Sequence, residues 1–242
     1  MISVVTLTYK RGHLLEEAIE SFLQQDQADC EMVIINDDVD VKYVYDDSRV
    51  KIYNLAKRYS SIIKKLQLGF FLATNRYMFR LDDDDLLSEH CLRDAKNAIK
   101  ENPGYDIYRS KNHYYFVNNI FNCISSNINN GNIYTKDFIS KLEWTDPGIA
   151  EDVWLTFECG GSIYEYSDIS MLYRWGMSTY HISGLGNYYV DPEDALKSLS
   201  AIDTKKGKIE ITPNFANNMA NSNYSVSSAF TRVGSTDNLL NV

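Results

Sequence analysis

An α/β fold with a mostly parallel central sheet flanked by helices is predicted by three features of this chain. Short β-branched runs alternate with segments of helical periodicity through residues 1–104. Three of the runs stop at polar clusters: Thr8-Tyr9-Lys10-Arg11, Asn36-Asp37-Asp38 and Asp82-Asp83-Asp84-Asp85. Ligands of parallel sheets sit beyond the carboxyl ends of the strands, so these clusters are expected to converge on one crevice.

Ile2 to Thr8 is rich in β-branched residues and predicts a buried strand. Leu15, Ala18, Ile19, Phe22 and Leu23 recur at helical spacing and predict an amphipathic helix. Met32 to Ile35 and Val50 to Tyr53 are the next strands, and Ser61 to Ala73 the next helix. Tyr77 to Leu81 predicts a further strand, and Glu89 to Lys100 a helix that ends before Asn102-Pro103-Gly104. Tyr105 to Tyr134, rich in Tyr, Asn and Ser, reads as short strands and loops. It is either a wall that recognises a hydroxyl-rich acceptor or an irregular surface connection. Ala150 to Cys159 is expected to be helical, followed by strands at Ile163–Tyr166 and Ile169–Tyr173. Beyond Lys205 the composition turns to Asn, Ser and Thr, as in a peripheral tail.

Composition narrows the function. At 242 residues and 44% hydrophobic, the chain can bury one large core. A net charge of −9 argues against an electrostatic grip on nucleic acid or an anionic membrane. No apolar run approaches the roughly 20 residues of a spanning helix. A strand starting at Ile2 is expected to leave no room for a leader peptide. The four cysteines form no CxxC pair, which predicts free thiols in a reducing cytoplasm and no zinc site.

The aspartate run holds the densest charge. Adjacent carboxylates repel one another, and a cation relieves that cost. Hard oxygen ligands suit Mg²⁺ or Mn²⁺, which in turn suit a diphosphate. The alternative is a solvated turn, with Asp85 or Ser88 capping the next helix. An EF-hand lacks its turn glycine and closing Glu here, and a dehalogenase-type phosphatase would need Asp where Thr8-Tyr9 stands.

The segment from Gly69 through Leu72-Ala73-Thr74, Tyr77 and Leu81 to Leu87 resembles glycosyltransferase family 2, inverting enzymes of the GT-A fold. Val4 to Arg11 is similar to that family's opening strand, and Val33 to Asp38 to its second strand. Glu151-Asp152-Val153-Trp154-Leu155 resembles its later Glu-Asp pair, and Tyr173-Arg174 with Ser178 and His181 the close of its catalytic domain. The resemblance implies a catalytic domain over 1–182, with a nucleotide-sugar half (1–104), an acceptor-side half (105–182) and an extension over 183–242. The chain departs from the family at Asp38-Val39, at Lys65-Leu66-Gln67, and at Arg80, where an apolar residue is usual. Met171 precedes Arg174-Trp175 where processive members carry Gln, which predicts a non-processive enzyme.

By resemblance, Asp84 is the direct metal ligand and Asp82 lies near the ribose or a metal water. Asp83 and Asp85 orient loops or cap a helix. Asp37 and the Thr8, Tyr9 and Arg11 edge would bind the base, favouring a UDP-sugar, with Lys64 or Lys65 near phosphate. Asp152, or else Glu151, would take the proton of the acceptor hydroxyl. His181 either touches metal or phosphate or is a lone surface histidine. Trp144, Trp154 and Trp175 stack on sugar or pack in the core, and Arg174 binds phosphate or pairs with a carboxylate. Nucleotidyl transfer, which would normally use a Gly-rich basic loop after the first strand, and a non-catalytic nucleotide- or sugar-binding module are the competing functions.

Overall fold

The computed structural model describes residues 1–175 except 60, 118, 119 and 146. The expected tail, Ser178, His181 and the 183–242 extension lie outside the described residues.

β1 (Ile2–Thr8), β2 (Glu31–Asn36), β3 (Val50–Asn54) and β4 (Tyr77–Arg80) form a parallel block in the order β3-β2-β1-β4. Its strands are buried on both faces, so alternate residues feed two cores. Val4, Met32 and Ile34 face α1 (Gly12–Leu23) and α3 (Cys91–Glu101). Val5, Leu7, Val33 and Ile35 face α2 (Ile62–Leu72). Gly69 lets α2 lie close to the sheet: a Cβ there would meet Val5 Cγ1 at 2.6 Å. Chain order reverses between β1 and β4, and Thr8 pairs in register with Asn36. The expected strand ends therefore do share one edge of the sheet.

Beyond β4 the sheet is mixed rather than mostly parallel. β8 (Ile133–Thr135) is antiparallel to β4, and β6 (Ile107–Val117) is antiparallel to β8. β9 (Ile163–Trp175) runs parallel to β6, and β5 (Leu86–Leu87) and β7 (Ile120–Ser125) add antiparallel edges. Hairpin strands need only short turns, which is how the Tyr- and Asn-rich segment builds its share of the sheet. The two strands expected at 163–166 and 169–173 are one, interrupted by a bulge where Ser110 Oγ donates to the Asp168 carbonyl at 2.5 Å. α4 (Lys136–Ile139) is short, capped by Thr135. The helix expected over 150–159 is one α turn, α5 (Glu151–Val153), that widens into a π-helical turn over Trp154–Glu158. The described cysteines are free, and no described helix is long and apolar enough to cross a membrane.

His113 on β6 is fully buried, with Nδ1 2.9 Å from Ser170 Oγ and no partner at Nε2. Burial, helped by Arg109, lowers its pKa from 6.5 to about 4. A buried neutral imidazole supports the fold above pH 6.5 and withdraws that support as the pH falls towards 4. Thermal melting should therefore drop over that window, and His113→Gln should flatten the slope. An unchanged slope in the variant would assign the acid sensitivity to other groups.

Candidate active site

β4 ends at Arg80, so the aspartate run is a turn beyond the strand. The Asp85 N–H donates to the Asp82 carbonyl at 3.2 Å and closes the turn. Carboxylate oxygens of Asp82, Asp84 and Asp85 lie within 4.8 Å of one another. Asp83 points inward, fully buried, against the Arg11 guanidinium. Asp85 thus joins the cluster and does not cap α3, which starts after His90 without a side-chain cap.

Three arginines from distant parts of the chain enclose this run. Arg11, placed by a turn at Lys10 with φ 55°, donates to Asp84 at 2.6 Å. Arg80 is buried and donates its Nη2 to Asp82 at 3.0 Å and to Glu151 at 2.5 Å. The Arg174 backbone N–H donates to Asp85 at 2.8 Å, its Nε to the Asp84 carbonyl, and its Nη1 to Glu17 at 2.5 Å. Burial opposes charge on Arg80, yet Asp82, Glu151 and Asp152 raise its pKa. Burial raises Asp83 to about 7 against the pull of Arg11. Burial, with Asp84 and Asp82, also drives Asp85 well up, although Arg174 opposes the shift. Such crowding fits a hard divalent cation, which would relieve it through the same oxygens.

The run borders a cavity of about 260 Å³ at the strand ends, lined by Thr8, Tyr9, Arg11, Asp37, Lys65 and Arg80, with Asp82, Asp84 and Glu151. Every site residue expected from the first two strands is here. Lys65 is buried and donates to the Thr8 carbonyl at 2.6 Å and to Asp37 at 2.5 Å. Burial lowers its pKa while Asp37 resists. The Tyr59 N–H donates to the other Asp37 oxygen at 3.1 Å. Sequence reasoning missed Arg58, whose guanidinium lies 3.7 Å from the Tyr9 ring centre. Lys64 reaches away to the Trp144 carbonyl at 2.8 Å.

A second cavity of about 400 Å³ adjoins the first and contains Asp152, Asn130, Tyr115 and Trp175. Tyr173 lines both. The Glu-Asp pair is therefore divided: Glu151 is fixed by Arg80 in the first cavity, while Asp152 opens on the second. Asn130, also missed, donates to Asp82 at 2.8 Å and Asp85 at 3.1 Å from the wall between them. Trp144 and Trp154 pack together in the core, 5.7 Å between ring centres. Arg174 forms a carboxylate pair with Glu17, one of its two expected roles, and also lines the first cavity.

Removing Arg80 leaves Asp82 and Glu151 without their shared cation. Arg80→Met should cost about 3 kcal/mol or more of stability, read by thermal or urea unfolding. Adding Glu151→Gln to that variant should restore part of the loss.

The family model for glycosyl transferase family 2 matches residues 3–156. A curated relative, the poly(ribitol-phosphate) β-N-acetylglucosaminyltransferase TarP of Staphylococcus aureus, is 30% identical over 116 residues. That match covers 42% of this chain and 33% of TarP, so it spans about a third of the relative's length. The S. aureus TarS structure in complex with UDP-GlcNAc is similar at TM-score 0.60 and 18% identity, over 90% of this chain and 70% of that one. The TarS complex with UDP is similar at TM-score 0.57 and 17% identity, over 93% and 72%. The fold is that of these GT-A enzymes, and the chain belongs to glycosyl transferase family 2.

Proposed function

We propose that the protein is a non-processive, inverting, metal-dependent glycosyltransferase that moves a sugar from a UDP-sugar to an acceptor hydroxyl. The observation that carries this is the meeting of two cavities at Tyr173, one bordered by Asp82 and Asp84 and the other by Asp152. The strand-end cavity is the donor site. Asp37, held by Lys65 and the Tyr59 N–H, presents its remaining lone pairs to a base imide. TarS structures hold UDP and UDP-GlcNAc, which supports uracil as that base. Asp84, with Asp82 and Asp85, would hold Mg²⁺ or Mn²⁺, which would offset charge on the departing diphosphate. Arg80 holds Asp82 and Glu151 in place.

Asp152 accepts the proton of the acceptor hydroxyl. That oxygen bonds to the anomeric carbon as the bond from this carbon to the diphosphate oxygen breaks on the opposite face, inverting the centre. The nucleoside diphosphate leaves with the bonding pair. Met171 and Arg174 are buried, and Arg174 is tied to Glu17, which supports the non-processive assignment.

UDP release from UDP-GlcNAc with Mn²⁺ tests the reaction. Asp84→Ala should lower turnover by about a hundredfold or more, and undiminished turnover would refute the metal assignment. Asp152→Asn should cost about 10²–10⁴-fold in transfer while UDP still raises the melting temperature. Full transfer by that variant would move the base elsewhere.

A further inference from the structure

We infer that the cavity around Asp152 takes an uncharged, hydroxyl-rich carbohydrate acceptor, bound by aromatic stacking and amide hydrogen bonds, and not a polyanionic phosphodiester chain. The inference rests on the proposed function, because it takes the Asp152 side as the acceptor side. The sheet builds the aromatic surface. Tyr115 on β6 pairs in register with Tyr173 on β9, and Trp175 follows Tyr173 at the two-residue repeat of a strand. The three rings therefore share one face, while Phe116, Leu172 and Arg174 turn into the interior. Tyr115 and Tyr173 are stacked, with centres 5.9 Å apart and planes at 22°. Both are only part-buried, so ring surface remains open to a ligand. The apolar C–H face of a sugar fits such a surface.

The cavity lining also carries a run of amides. Asn127, Asn129 and Asn130 line the cavity with Ser125. The Asn127 N–H donates to Ser125 Oγ and the Asn129 carbonyl accepts from the Asn132 Nδ2, so both bonds use backbone groups and leave the Asn127 and Asn129 side chains for sugar hydroxyls.

Charge separates the two acceptor classes. Among the described residues no Lys or Arg lines this cavity, and its one ionisable acid is Asp152. The neighbouring arginines are paired: Arg80 with Asp82 and Glu151, Arg174 with Glu17, and Arg109 with Glu165. Arg109 also braces the rim by donating to the Ser126 and Ile128 carbonyls. A phosphodiester acceptor of the kind named for TarP would meet a carboxylate and a chain of net charge −9, with no cation among the described lining residues to offset either.

The test measures binding of p-nitrophenyl glycosides of neutral sugars and of ribitol phosphate oligomers, by saturation-transfer NMR at low and high salt. Binding needs no turnover, so the result stands even if donor hydrolysis, assayed in parallel, fails and removes the proposed function. Neutral glycosides should bind with salt-independent affinity. Tyr115→Ala should weaken them about tenfold, the size of one aromatic contact, and Tyr115→Phe, which keeps the ring, should restore them. Tighter binding of the phosphate oligomers, or glycoside affinity indifferent to Tyr115→Ala, would overturn the assignment.

Discussion

Neutralisation of the aspartate run is the constraint on which the rest of the structure depends. Four adjacent carboxyl groups at the end of a buried strand repel one another strongly. The fold meets that cost by bringing a guanidinium from each of three segments: the end of β1, the end of β4 and the end of β9. Each arginine also commits a neighbouring piece of chain. Arg11 ties the β1 loop to Asp83 and Asp84, Arg80 ties α5 to Asp82 through Glu151, and Arg174 ties β9 to α1 through Glu17. Charge balance and tertiary architecture are one problem here, with one solution.

That arrangement explains how the Glu151-Asp152 pair is divided between the two cavities. Arg80 binds Glu151 on the side of the aspartates and so leaves Asp152, the next residue, on the side of the second cavity. The α turn carrying the pair passes directly into a π turn, an irregularity frequent at functional sites. Asn130 and Tyr173 form the wall between the cavities, and both sense the aspartates: Asn130 by hydrogen bonds, Tyr173 through a phenol pKa raised by burial and by Asp85, Asp82 and Asp84.

Much of the first half of the fold was legible because its signals are local. The continuous apolar, β-branched runs along Val4–Leu7 and Val33–Ile35 and the helical spacing along Leu15–Phe22 depend on neighbours a few residues apart. The site residues at the ends of β1, β2 and β4 followed from the strand-end rule for parallel sheets. The second half was less legible. Its strands are short or bulged, and the pairing of β6 with β9 spans an intervening helix and hairpin.

The sequence alone determined which carboxylates stand together, where the parallel strands end, and the order in which the aspartate run and the Glu151-Asp152 pair occur. Adjacency and periodicity carry that information. Tertiary structure decided which donor meets which carboxylate. The bonds Asn130–Asp82, Arg80–Glu151 and Arg174–Glu17 join residues 48, 71 and 157 positions apart. No local pattern encodes such pairings, because each forms only when packing removes both groups from water and leaves them to find their partners within the protein. For the same reason Arg80 stood in the sequence only as an unusual residue in a strand, and became the link between two halves of a site once Glu151 was folded against it.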